Sequence, residues 1–377
     1  MLGLLRQRLS DFLLPSNNVS HKLIVMAVLA FLSFGATGLG AITLMYALST
    51  MRAGRDSAAS HGISSINSSR LGGVAIVITF LLFLVGMVML SPYTPGVARD
   101  TTFLHLWSTV FVCVMLGAAE DFKADLLTPY FRLIVKLLAF GIFLWATPGV
   151  VPDAIGVPLL DKLFASPVLA WGICTLFCVG FINAFNMADG ANGLVPGIAT
   201  AAFGILFLEY GRPAEGVLFF VCLMFLIFNV ISGWFFLGDT GSYGLGAALV
   251  CYGLMGVANG DFSAGFMASL FAYPCIDFLT SIIRRARKGI SPLRPDNGHL
   301  HNLLHRFYDP KFKSRVIPNS LTGLTISFFS SGVCLLIYLA GWLPIESGAW
   351  LVVFAVQATV YLTALRWLSN IQIPERE

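Results

Sequence analysis

Charged residues are scarce in this chain. Asp, Glu, Lys and Arg make up 11% of its 377 residues against 57% apolar, and the mean hydropathy is +0.83. A soluble chain carries roughly a quarter charged residues, so this shortage excludes an ordinary soluble domain. The net charge of +4 is too small to support binding to nucleic acid. Alternating apolar and polar runs are also missing, which excludes a membrane β-barrel. There is no C-x-x-C pair. The seven cysteines all lie within apolar stretches, with Cys174 and Cys178 one helical turn apart, and read as small core residues. Residues 1–20 have neither a continuous apolar core nor a small-residue cleavage site, and read as an amphipathic surface segment. No internal repeat, low-complexity region or separate soluble domain stands out.

What is present is a succession of apolar runs of spanning length, where about 20 residues cross a bilayer. They lie near 23–48, 72–91, 103–119, 132–148, 166–182, 195–210, 213–235, 243–259, 264–282, 319–343 and 346–368. The expected fold is an all-α, polytopic membrane protein with about 11 transmembrane helices. Residues 21–368 form one integral membrane domain with a basic loop at 283–318, and 369–377 form a tail. Eleven spans put the termini on opposite sides. Placing the C-terminus in the cytoplasm leaves 17 of the 23 basic residues inside, while Arg6, Arg8, Lys22, Arg99, Lys162 and Arg212 fall outside. The excess of inner positive charge favours that orientation.

The same parity collects the polar clusters on the inner face: SSRLGGVAI (68–76), AAEDFKADLLTPYFRLIVK (118–136), NAFNMADGANGL (183–194), FLGDTGSYGLG (236–246), and PCIDFLTSIIRRARKG (274–289) leading into PDNGHLHNLLHR (295–306). Ionisable groups at membrane depth are costly and mark function. Glu120, Asp121, Asp189, Asp239 and Asp277 can face one cavity opposite Arg70, Arg132, Arg284, Arg285 and histidines. Carboxylates mixed with cations point to an anionic substrate bridged by a hard divalent ion. Mg²⁺ is typically held by one or two carboxylates plus substrate phosphates. Gly190, Gly193, Gly238 and Gly241 are expected to expose backbone N–H groups to a phosphate or base. Asp277, on a helix, also reads as a partner of a nearby arginine. His301 and His305 have zinc-helix spacing without the accompanying glutamate or an obvious third ligand.

In this order and spacing, SRLGGVAI, NAFNMADGANGL, GDTGSYGLG and HLHNLLHR resemble the polyprenyl-phosphate N-acetylhexosamine-1-phosphate transferases. The likeness covers about Ser68–Arg306. It implies transfer of an N-acetylhexosamine-1-phosphate, GlcNAc first, from a UDP-sugar to undecaprenyl phosphate. UMP is released and a lipid-linked envelope glycan such as O-antigen is begun. GalNAc, QuiNAc and FucNAc are alternative donor sugars, and a secondary transporter is the rival class. The resemblance makes Asp239 the metal ligand, joined by Asp189, for Mg²⁺ or alternatively Mn²⁺. It gives catalytic roles to Glu120, Asp121, Asp189, His299 and His301. Asn183 and Asn186 flank the nucleotide-sugar, Asn192 serves uracil, and Arg70, Arg284 and Arg285 are substrate contacts. Asp121 is expected to orient or link to the metal rather than act as general base, because a lipid phosphate is already largely dianionic at neutral pH. Three departures stand out: Glu120 and Asn192 where aspartate is commoner, and Asn302 for a third histidine. The implied setting is the bacterial inner membrane, with the active site facing the cytoplasm and a homodimer left open.

Overall fold

The computed structural model describes residues 19–51, 55–56, 68–90, 101–289, 291 and 297–371. The segment expected to be amphipathic lies almost wholly outside these residues. The described chain is helical: α1 (Val19–Ser49), α2 (Gly72–Leu90), α3 (Thr101–Phe122), α4 (Pro129–Ala146), α5 (Pro158–Phe164), α6 (Pro167–Ala188), α7 (Leu194–Tyr210), α8 (Pro213–Ser232), α9 (Gly238–Asn259), α10 (Ala264–Leu270), α11 (Ala272–Arg287), α12 (Leu300–Tyr308), α13 (Val316–Ser327), α14 (Val333–Leu339) and α15 (Trp350–Asn370). Strands β1 (Arg55–Asp56) and β2 (Ser68–Ser69) form one two-residue antiparallel ladder. Among the described residues eight helical stretches are long and apolar enough to cross a membrane, and α2 and α7 are shorter apolar helices. Most described residues of each of the eleven apolar runs are helical. The loop expected over 283–318 instead contains α12.

Local chemistry sets the turns. Pro129 starts α4, behind Thr128, whose hydroxyl accepts the Phe131 N–H. Gly211, with φ 62°, ends α7 two residues before Pro213 opens α8. At the centre lies α9, most of it buried, and against it pack α3, α6 and α2.

Two of the expected spans are not simple rods. In α1 the backbone leaves helical geometry at Phe34 and Gly35, the latter with φ 60° and ψ −140°. A Cβ on Gly38 would lie 2.2 Å from the carbonyl oxygen of Ala30, so the two halves touch just beyond the turn. Lys22 and Tyr46, at opposite ends of α1, both reach the Trp234 ring, with the ammonium 5.5 Å and the phenol ring 6.3 Å from its centroid. A straight helix would separate them by about 36 Å. The first run is therefore a hairpin with both ends beside Trp234. Lys22, expected on the outer face, donates to the Ser232 carbonyl at 3.3 Å, on the same side as β2 and the start of α9.

In a background without native cysteines, Ser20→Cys should react with an impermeant maleimide from the same side as Lys311→Cys. Labelling together with Arg212→Cys would restore a single crossing.

The ninth run is also broken, by an 80° bend between α10 and α11. Backbone groups freed inside a bilayer need partners. The Ser331 hydroxyl donates to the Leu270 carbonyl at 2.6 Å, and Ser330 Oγ accepts the Tyr273 N–H at 3.2 Å. Both serines sit in a π-helical turn, Phe328–Gly332, between α13 and α14. Gln357 of α15 donates to the carbonyls of Phe329 and Ser330.

Candidate active site

The polar clusters meet at one end of the bundle, the end that holds both termini of α1. The LGDTG turn opening α9 is held by two neighbouring segments, residues 69–73 and α3. Residues 69–73 run beside 234–237 with alternating backbone bonds: Ser69 N–H to Trp234 O, Phe236 N–H to Ser69 O, Gly72 N–H to Phe236 O and Gly73 N–H to Leu237 O, from 2.7 to 3.0 Å. A Cβ on Gly73 would fall 2.0 Å from the Gly241 nitrogen, and one on Gly117 would fall 2.3 Å from the Asp239 carbonyl oxygen. Only glycine admits such close backbone contact. Gly117→Ala should therefore displace Asp239 and lower turnover about tenfold or more. Gly86→Ala, where a Cβ meets nothing within 4 Å, should leave turnover unchanged.

Asp121, at the end of α3, clamps the same turn. Its Oδ1 accepts the Asp239 N–H at 2.9 Å, and its Oδ2 accepts the Thr240 N–H at 2.7 Å and the Thr240 hydroxyl at 2.5 Å. Both oxygens are thus engaged in fixing the first turn of α9, which aims Asp239 into the cavity. Asp239 Oδ1 accepts an amide hydrogen of Asn186 at 2.8 Å, while Oδ2 accepts from Arg132 Nη1 at 3.3 Å. Glu120 Oε1 accepts the Leu127 N–H at 2.7 Å and its Oε2 lies 3.6 Å from Arg132 Nη1. Glu120 therefore pins the α3–α4 loop and sets Arg132 against Asp239.

Asp189 caps α6. Burial and the charges of Asp239 and Asp121 push its carboxyl up to about 8. Asp189, Asp239, Asp121, Glu120, Arg70 and Arg132 line a cavity of about 450 Å³, together with Asn186 and Asn192. Carboxylates held this close repel one another, and an added divalent cation would relieve that cost. Among the described residues no three His, Cys, Asp or Glu side chains form a ligand cluster. A cation here would rest on Asp239 and Asp189, with water and substrate oxygens completing its shell, which suits Mg²⁺.

Asn183 lies one turn deeper than Asn186 and accepts from the buried Lys136 ammonium at 2.5 Å, 4.2 Å from which lies the Tyr243 ring centroid. Lys136 sits within a span, a position that marks function, yet sequence reasoning counted it only toward orientation. Asn192 is 3% exposed. Its N–H donates to Asn319 Oδ1 at 2.7 Å, and its amide is shared with Ser320 and Asn229 at 3.4 Å. That geometry ties the 190–194 turn to α13 and α8, with Asn192 also on the cavity wall. The glycine N–H groups are likewise used internally: Gly193 donates to Asn229 Oδ1 at 2.6 Å and Gly190 to the Ala188 carbonyl at 2.7 Å.

The histidines form a second layer behind Asp189. A Cβ on Gly190 would fall 2.2 Å from His301 Nε2. His301 Nδ1 is 2.8 Å from the Tyr273 hydroxyl, and burial pushes its pKa down to about 4, so the ring is neutral. His299 stacks on His301, with centroids 5.3 Å apart and planes within 8°, and its Nδ1 lies 2.6 Å from Asp277 Oδ2. Asp277, expected beside an arginine, pairs instead with His299. Arg284 packs against Gly298 and Arg285 is buried on α11; neither lines the cavity.

Fold and site together define a polytopic helical membrane protein with an acid-lined cavity at one end of its bundle. The family model described as glycosyl transferase family 4 matches residues 103–257, covering Asp121, Asp189 and Asp239. It is 28% identical over 247 residues to a probable undecaprenyl-phosphate N-acetylglucosaminyl 1-phosphate transferase of Bacillus subtilis, covering 63% of this chain and 66% of that one. It is 28% identical over 271 residues to the decaprenyl-phosphate N-acetylglucosaminephosphotransferase of Mycobacterium tuberculosis, covering 62% and 65%. It is 30% identical over 193 residues to the phospho-N-acetylmuramoyl-pentapeptide-transferase of Levilactobacillus brevis, covering 46% and 59%. The chain spans less than two thirds of the length of each of these relatives.

Proposed function

We propose that the protein transfers an N-acetylhexosamine-1-phosphate from its UDP-sugar to a polyprenyl phosphate, undecaprenyl phosphate in a bacterial inner membrane, releasing UMP. The observation that carries this reading is the convergence of Asp121, Asp189 and Asp239 with Arg70 and Arg132 on one cavity at an end of the spans. A phosphate oxygen of the lipid forms a bond to the β-phosphorus of the UDP-sugar. The bond from that phosphorus to the oxygen bridging to the α-phosphate breaks, and UMP leaves with the electron pair.

Both reactants are anionic, so positioning and charge neutralisation do most of the chemistry. Mg²⁺, when bound by Asp239 and Asp189, neutralises diphosphate charge. Arg132, set by Glu120, and Arg70, which lines the same cavity, would bind phosphate oxygens. Asn186 orients Asp239. Asp121, with both oxygens engaged by the turn, fixes the geometry and leaves the lipid phosphate to attack without a base.

The location also fits an amphiphilic acceptor, whose prenyl tail stays in lipid while its phosphate reaches the cytoplasmic rim. UDP-GlcNAc is the first donor to test, in initiating a lipid-linked envelope glycan such as O-antigen. No step needs a second copy of the chain. A transporter would place its charges near mid-membrane, not at one end.

Purified protein should release UMP from UDP-GlcNAc only when polyprenyl phosphate and Mg²⁺ are both supplied. A panel of labelled UDP-N-acetylamino sugars would identify the donor. Absence of UMP with every donor would overturn the reading.

A further inference from the structure

We propose that Lys136 is a fixed countercharge beneath the acid-lined cavity: it loosens a divalent cation in the empty site and favours phosphate there, so that the cation enters with the nucleotide rather than before it. This rests on the function proposed above and deepens it with a positioning residue that is not part of the cavity wall.

Two layers of side chains, one helical turn apart, join α4, α6 and α9. In the upper layer Arg132 of α4 and Asn186 of α6 both donate to Asp239 of α9, at 3.3 and 2.8 Å. In the lower layer the Lys136 ammonium of α4 donates to Asn183 Oδ1 of α6 at 2.5 Å and lies 4.2 Å from the Tyr243 ring centroid of α9. Lys136 and Tyr243 follow Arg132 and Asp239 by four positions, and Asn183 precedes Asn186 by three. Each lower residue is thus about one turn, roughly 5 Å, deeper in its helix than its upper counterpart.

Lys136 is 2% exposed. An ammonium has three donors; among the described residues Asn183 is the one hydrogen-bond acceptor that meets them, and no carboxylate forms an ion pair with Lys136. Burying such a charge within a span is costly and marks function. The titratable and charged groups that act on it are Cys113 on α3, Arg132 on α4, and Tyr243 and Asp239 on α9. Neither Lys136 nor Asn183 lines the cavity, so the ammonium acts through its field, which salt screens little at a buried position. A positive charge one turn under Asp239 repels a lone divalent cation and attracts phosphate. It acts little on a cation–nucleotide pair, whose own charges offset.

The competing explanation is a bolt that merely ties α4 to α6 and α9. Two substitutions in the full-length protein, in detergent, separate the two. Lys136→Gln removes the charge but can still donate to Asn183, whereas Lys136→Met removes both. The probes are Mn²⁺ alone, followed by electron paramagnetic resonance, and UMP in the presence of EDTA, followed by calorimetry. A bolt would leave both affinities unchanged in Lys136→Gln and weaken both in Lys136→Met.

A countercharge predicts shifts of opposite sign. Mn²⁺ should bind both variants about tenfold or more tightly than the wild type, and UMP about fivefold or more weakly. Mn²⁺ affinity that is unchanged or weaker in Lys136→Gln would overturn the proposal, as would UMP affinity that does not fall. If the wild-type protein releases no UMP with any donor, the function reading falls, while the Mn²⁺ titration, which uses no substrate, still decides the countercharge.

Discussion

Asp239→Asn should abolish UMP release, with turnover falling about a thousandfold or more. The substitution keeps the shape of the side chain but removes its charge. In the native site the two oxygens of Asp239 accept from Asn186 at 2.8 Å and from Arg132 at 3.3 Å. An amide presents a donor to one of these donors and no charge to a cation. Divalent-ion binding should fall with turnover, and Mn²⁺ titration followed by electron paramagnetic resonance reads it without reference to activity. The turn itself should survive, because its backbone is held by Asp121 and by residues 69–73. Turnover near the wild-type level in a well-folded Asp239→Asn protein would remove Asp239 from the site.

The second large effect is expected at Asp121, and it is of a different kind. Asp121→Asn turns one acceptor into a donor that faces the N–H of Asp239 or the N–H and hydroxyl of Thr240. Leaving a buried donor unpaired costs about 1–3 kcal/mol, so this variant should lose about 2–4 kcal/mol of stability. Asp239 moves with the turn, and turnover should fall about a hundredfold or more. Melting temperature and UMP release should therefore decline together. A general base would behave otherwise: Asp121→Asn would melt like the wild type, lose turnover alone, and lose the acid limb of the pH profile.

Much of the fold was legible in the chain because its signals are local. Apolar runs of spanning length need no partner to be recognised, since every backbone group in lipid must be satisfied within its own helix. Most described residues of each run are helical. The hairpin in α1 was not legible. Its 31 residues read as one long apolar stretch, and the reversal depends on Phe34–Gly35 and on the groups that receive the two ends, Trp234 and Ser232. The bend between α10 and α11 likewise depends on Ser330 and Ser331, some 60 positions away.

At the site, a carboxylate among glycines showed where chemistry gathers but not what each carboxylate does. Asp121 and Asp239 look equivalent in sequence. They differ because a turn 118 positions away from Asp121 uses both of its oxygens, while Asp239 is left facing the cavity. The same holds for Asn192, drawn inward by Asn229, Asn319 and Ser320, and for Asp277, claimed by His299 and Tyr361 rather than by an arginine. Lys136 was visible as a charge within a span, yet its partners Asn183 and Tyr243 come from two other helices.

The sequence by itself determined that this is a helical membrane protein and that its polar residues fall in a few short clusters, because hydropathy and turn chemistry act over neighbouring residues. Only the tertiary structure decided which oxygen faces the cavity, which histidine has a carboxylate behind it and on which side the first helix begins. Those outcomes depend on donors and acceptors brought together from segments far apart in the chain.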